Sequence, residues 1–268
     1  MSLSARLRSL DVDLPACPRT LLELLALLDD DQAPIGAMSR LIESDMALAS
    51  AVVRTVNTAM FGLLRRVDTV GDALLCLGTR EVAAITFSIA LRAAFPPTPQ
   101  LRHLWEHASR CGLLMGRSAP ALGLDALRAH TAGLFARSGQ AVLLVNSDGL
   151  YPKILAAAGD DQQALIDAER AAFGLTHAAY GSALCAAWGL ASDVVKYVHE
   201  RIEPPQRWLT QTERVRELLA LGAMAEQLLA GEDADAAAAT VAPGTGLSSQ
   251  RLSTAVRAPW SSLNRTFH

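Results

Sequence analysis

The residues able to do chemistry are few and dispersed along this 268-residue chain. Four cysteines, at 17, 76, 111 and 185, stand alone. No CxxC pair occurs, so neither a structural zinc site nor a disulfide framework is expected. Cys76, Cys111 and Cys185 have apolar neighbours and read as small core residues. Ser138, in Arg137-Ser138-Gly139, lacks the preceding glycine and the strand of a nucleophile elbow. The Asp29-Asp30-Asp31 run lacks the spacing of a calcium loop and reads as a solvated turn. There is no GxGxxG and no Walker motif. What remains is a set of imidazoles, His107, His177 and His199, with the cation Arg137 and the carboxylate Glu169. A guanidinium joined by two or three imidazoles would suit a phosphate or a carboxylate. The plainer reading is that the histidines pack between helices with their ring nitrogens hydrogen-bonded. Glu169 could pair with a cation such as Arg137, although a helix glutamate is more often solvated or capping.

The elements that must position these residues read as helices. Hydrophobic residues make up 51% of the chain and charged residues 19%, enough to bury a sizeable core. Ala and Leu, both strong helix formers, dominate. The net charge of −3 argues against a nucleic-acid binder that relies on a broad basic surface. No uninterrupted apolar run reaches the length of a membrane span, and the N-terminus has no secretory h-region. A cytoplasmic protein is therefore expected.

Leu21–Leu28 reads as a short helix, followed by another over 34–43. Asp45 is an N-cap for a third helix, with Leu48, Val52, Val53 and Val56 inward and Asn57 and Gly62 as stop signals. A short helix over 69–77 ends at Gly78. Thr79 can cap the next, with Val82, Ile85, Ile89 and Leu91 inward. Phe95-Pro96-Pro97-Thr98-Pro99 cannot be helical throughout and marks a boundary. Helices follow over 100–121, 151–158, 161–173, 177–187 (capped by Thr176), 191–200 and 210–230. Residues 125–145 form a central, largely buried segment. Ala141–Val145 carries the one strand-like signal. Residues 231–246 read as a linker, with one short helix in the last 20 residues. Trp105 and Trp188 read as core anchors, and Asn57 as a helix-terminating or inter-helix hydrogen-bonding residue.

Several stretches, taken in order, resemble the HDOD family of bacterial signalling proteins. They are Leu14-Pro15 with Pro18, Leu41 through Leu48, Val56 through Gly62, and Asp72 through Gly78. Leu104-Trp105-Glu106-His107 and Ala132 through Gly139 follow. Glu169, Phe173-Gly174, Thr176-His177, Gly181, Trp188-Gly189-Leu190 and His199 complete the series, which covers about residues 12–205. The resemblance implies an all-α, bilobed fold. An N-terminal helical lobe would span 12–98 and an HD-like lobe 99–205, with 206–268 a helix, linker and tail outside the match. It also implies kinship with HD-type metal phosphohydrolases and a role in bacterial signalling and regulation, without their activity.

An HD-type site needs an adjacent His-Asp pair at the metal. In this chain those positions hold Ala136 and Arg137. Replacing a carboxylate by a guanidinium about 5 Å from a divalent ion costs roughly 13 kcal/mol at an effective dielectric of ~20, an unscreened upper figure. The expectation is therefore a degenerate site with no catalytic residue, no metal and no cofactor. His107, Ala136, Arg137, Glu169, His177 and His199 would line a vestigial or anion pocket. The function expected is regulation through contacts with other signalling proteins, without nucleic acid or membrane. The alternative is a metal-dependent phosphohydrolase, or a sensor that binds a small anion or nucleotide in the residual pocket.

Overall fold

A computed structural model describes residues 12–29, 34–58, 61, 63 and 65–267. Asp30, Asp31, Gly62 and the first eleven residues, on which some sequence expectations fall, lie outside that set. Helix makes up 76% of the structure, far above the usual third of a globular protein, and no strand occurs among the described residues. No helix among them is long and apolar enough to cross a membrane. The chain divides into two compact units, one of Ala16–Ala94 with Pro259–His268 and the other of Met1–Pro15 with Phe95–Ala258.

The smaller unit holds α1 (Arg19–Asp29), α2 (Ile35–Glu43), α3 (Met46–Val56), α4 (Val70–Leu77) and α5 (Thr79–Ala93). Each buries one stripe at helical spacing, such as Leu48, Val52 and Val56 on α3. Asp45 caps α3 by accepting from the Ala47 and Leu48 amides at 2.9 and 3.0 Å. The Asn57 amide group closes the following loop. Its Nδ2 donates to the Val53 and Val67 carbonyls, and its Oδ1 accepts from the Val67 N–H. Thr69 and Asp72 form a reciprocal capping box at the start of α4. Thr79 does not cap α5 as expected. Gly78, at φ 81°, takes the cap position, because a left-handed backbone there lets α5 follow α4 without a spacer.

The larger unit opens at α6 (Pro99–Ser118), with Pro99 in the first turn and Thr98 as N-cap. It packs closely on α7 (Ala126–Phe135). Glycine makes that approach possible, since a Cβ on Gly133 would sit 2.8 Å from Gly112 Cα. The segment 125–145 is not one helix. α7 stops at Phe135, and Ala136 and Arg137 turn a corner into α8 (Ser138–Asn146). Ala141–Val145 is therefore helical, not a strand. Its continuous apolar run fits a helix buried over most of its surface as well as it fits a strand.

After α9 (Leu150–Ala158) and α10 (Gln162–Phe173), α11 (His177–Ala187) lies against α8. Then come α12 (Ser192–Glu200), the single turn α13 (Pro205–Trp208) and α14 (Glu213–Leu229), which packs on α6 and α12. Residues 231–246 do not form a linker. Capped by Asp233, α15 (Ala234–Val241) buries Ala237, Ala238 and Val241 and packs on α14. Ala-rich composition here means close helix packing. The last helix, α16 (Ser249–Phe267), is 19 residues long and carries Pro259 inside it.

Candidate functional site

The corner at Ala136-Arg137 is held by a glycine contact. A Cβ on Gly139 would overlap the His177 carbonyl oxygen, and Gly181 on α11 faces the same crossing. The two helices can approach only because both residues lack side chains. That approach brings Arg137, at the N-terminal end of α8, near His177 at the start of α11.

Two connected clusters result. In the first, Glu169 of α10 is fully buried and accepts hydrogen bonds from three donors. Tyr151 Oη donates at 2.6 Å, the His177 backbone N–H at 2.8 Å, and His177 Nδ1 lies 2.9 Å from both carboxylate oxygens. On the other side of the ring, Arg201 Nη1 lies 3.3 Å from His177 Nε2. A guanidinium only donates, so Nε2 is the acceptor and Nδ1 carries the proton. His177 is a neutral imidazole held in one tautomer between a carboxylate and a cation. Its burial pushes the pKa down, and the charges of Arg201 and Arg137 add to that effect against the opposing pull of Glu169. Burial would raise the Glu169 pKa, but the His177 and Tyr151 hydrogen bonds outweigh it and hold the carboxyl below its ordinary value.

The second cluster centres on Glu226 of α14. Its Oε2 lies 2.8 Å from His107 Nε2 and 2.9 Å from Arg137 Nη2. Arg201 Nη2 stands 3.6 Å from Oε1. Desolvation opposes ionisation of Glu226, but the His107 hydrogen bond and the charges of Arg137 and Arg201 prevail and depress its pKa far below the carboxylate range. Not every polar atom is satisfied. Arg137 Nε and Glu226 Oε1 are buried without a hydrogen-bond partner among the described residues.

Of the residues singled out in the sequence, His107, Arg137, Glu169 and His177 are thus brought together, with Ala136 buried at the corner beside Arg137. His199 is not among them. Its ring is half exposed and lies 3.3 Å from Glu200 Oε1. Glu169 is not solvated; it accepts the first backbone N–H of α11, and its side-chain partners are His177 and Tyr151 rather than Arg137. Trp188 is buried, with its ring edge-on to Phe135 at 5.6 Å and its indole N–H on the Pro15 carbonyl. Glu226, Arg201 and Tyr151 were not foreseen.

The arrangement does not fit a divalent cation. Ala136 offers no ligand atom, and Arg137 and Arg201 place two cations among the remaining donors. Both ring nitrogens of His177 are in use, and Glu226 Oε2 already binds two donors. No group of three or more His, Cys, Asp or Glu side chains among the described residues could hold a metal ion.

Comparison with known proteins places this geometry. The model of the HDOD domain family matches residues 14–204. A protein of unassigned function from Treponema pallidum is 27% identical over 195 residues, 69% of this chain. The chain spans only 37% of that relative's length. Among solved structures, a Shewanella amazonensis protein provisionally named a phosphohydrolase is 20% identical, with a TM-score of 0.77 over 99% of this chain and 98% of its own. An HDOD domain protein of unknown function from Geobacter sulfurreducens is 17% identical, with a TM-score of 0.71 over 99% and 97%. A Marinobacter aquaeolei protein provisionally named for signal transduction is 20% identical, with a TM-score of 0.73 over 99% of this chain and 65% of that one. These likenesses share the all-helical fold, and the family match takes in every candidate residue except Glu226, so the chain belongs to the HDOD domain family.

Proposed function

We propose that this chain is a non-catalytic bacterial signalling module, acting in the cytoplasm through contacts with other proteins. The observation that carries the reading is the Arg137–Glu226 pair. Where an HD-type site would need a carboxylate and a histidine for its metal, this chain has a cation and an alanine, and the cation is neutralised from within the fold. Without a metal there is nothing to lower the pKa of a bound water to near neutrality, which is the step that makes hydroxide in such enzymes. The signalling part of the reading draws on family membership and on the name of the Marinobacter neighbour.

The test is metal content together with turnover. Protein purified without chelator, and again after incubation with manganese, iron or zinc, is expected to hold no stoichiometric metal and to leave phosphodiester substrates intact. Stoichiometric metal with phosphodiesterase turnover would overturn the proposal. Affinity capture from the native host is expected to return a signalling protein, and the Arg137 network should remain intact in that complex.

A further inference from the structure

Arg201 has a second face. Past it lies a cavity of about 470 Å³, within the range of roughly 300–1,000 Å³ typical of small-molecule sites. Ile166 of α10, the corner residues Ile202, Pro205 and Trp208, and Leu219 of α14 supply apolar wall, and Arg201 stands at the charged end with Glu226. Besides a hydrogen bond with Tyr197, the inward contacts of the guanidinium are long, 3.3 Å to His177 Nε2 and 3.6 Å to Glu226 Oε1. A guanidinium carries five N–H donors and no acceptor, so this end of the cavity calls for an acceptor. Glu226 repels such an acceptor less than a bare carboxylate would, because its Oε2 is already held by His107 and Arg137.

We propose that this cavity is a ligand site for a monocarboxylate with an apolar body, its carboxylate seated on the Arg201 guanidinium. Desolvation selects one negative charge over two. Arg137 and Arg201 only balance Glu169 and Glu226, and Glu203 on the wall is paired with Arg207, so no excess positive charge offsets the far higher cost of desolvating a dianion. The walls select the body, since a hydrated ion alone would leave their apolar surface uncovered. Bidentate pairing with a guanidinium fixes the head. The same guanidinium touches α11 through His177 and α14 through Glu226, so a bound ligand bears on the contacts that join three helices. This inference goes beyond the non-catalytic reading and stands independently of it, because metal content and turnover do not enter its test.

Titration calorimetry on the full chain with three probes decides it. Octanoate carries both body and charge, n-octanol the body alone, and inorganic phosphate the charge alone. Octanoate is expected to bind saturably, with the other two at least tenfold weaker. Arg201→Gln is expected to weaken octanoate at least tenfold, about 1.4 kcal/mol. Ala223→Phe, which fills the cavity from α14 and removes none of the charged side chains, is expected to abolish binding while circular dichroism stays unchanged. If Arg201→Gln does not fold, Ala223→Phe carries the decision. The proposal is overturned by no octanoate binding to the native protein, by octanol or phosphate binding equally well, or by undiminished binding to folded Ala223→Phe.

Discussion

Arg137 Nη2 and Glu226 Oε2 are 2.9 Å apart although 89 residues separate them along the chain. Removing one partner of such a pair leaves the other charge poorly solvated, which costs more than removing both. Glu226→Met is therefore expected to lower stability by about 2–3 kcal/mol, somewhat below the range for fully buried pairs. Arg137→Met with Glu226→Met should recover part of that loss. Urea unfolding of the singles and the double measures the coupling. Additive losses would show that the pair contributes no interaction energy.

Three buried groups tie stability to pH in the same direction. The pKa values of His177, Glu169 and Glu226 are all depressed in the fold. Between a depressed folded value and the unfolded value the unfolded chain binds more protons, so stability rises with pH. The His177 contribution is complete above its unfolded pKa of about 6.5 and is lost below it, and the carboxylates follow below about 4.3. Tm is expected to fall in two stages as pH is lowered from 7 to 3. His177→Asn should remove the upper stage and, by taking a hydrogen bond from Glu169, shift part of the lower one. A native Tm that is flat between pH 7 and 5 would contradict the neutral assignment of His177.

The crossing of α8 and α11 is expected to tolerate no methyl group. Gly139→Ala would push a Cβ into the His177 carbonyl, a backbone atom that can yield only by moving a helix. Overpacking of this kind costs about 1–3 kcal/mol, and here the upper end applies. At Gly181 the nearest atom is Val198 Cγ1 at 2.9 Å, the end of a side chain, so Gly181→Ala should cost less. Denaturation midpoints order the two variants, and the reverse order would place the tight contact elsewhere.

Much of this fold could be read from periodicity and punctuation, and the site only in part. The Asp45 cap, the Gly78 stop and the break before Pro99 are local signals, and each fell where the chain needed it. The corner at Ala136-Arg137 is not local, since a buried helix pair and one buried helix give the same apolar run. Arg201 was within reach. It follows Val194, Tyr197 and Val198 by seven, four and three residues, so α12 carried one turn further aims it inward, while His199 falls between those positions on the outer face. Glu226 left a fainter mark as the lone charge in the run Leu218–Leu229. Nothing local told which cation it meets, because its partners lie on three other helices.

The same geometry predicts how hard a metal site is to build at this corner. Ala136→His with Arg137→Asp introduces a His-Asp dyad, yet Arg201 remains 3.3 Å from His177 Nε2. A divalent ion about 5 Å from that guanidinium is repelled by roughly 7 kcal/mol at an effective dielectric of ~20. The double variant is expected to show no more than weak binding of manganese by calorimetry, and further substitution of Arg201→Gln to strengthen it by at least tenfold. Tight binding by the double variant would show that Arg201 swings clear at no cost.

Glu226 lies beyond residue 204, where the match to the family model ends, yet it neutralises side chains inside that boundary. The segment matched by the family model and the segment whose side chains complete the ion cluster are therefore of different lengths. A fragment ending at 204 would keep every residue by which the family is recognised and lose α14 from its seat against α6 and α12. It would leave His107, Arg137 and Arg201 facing an emptied groove. In any rearrangement that moves this module between proteins, the stretch through α14 must travel with it.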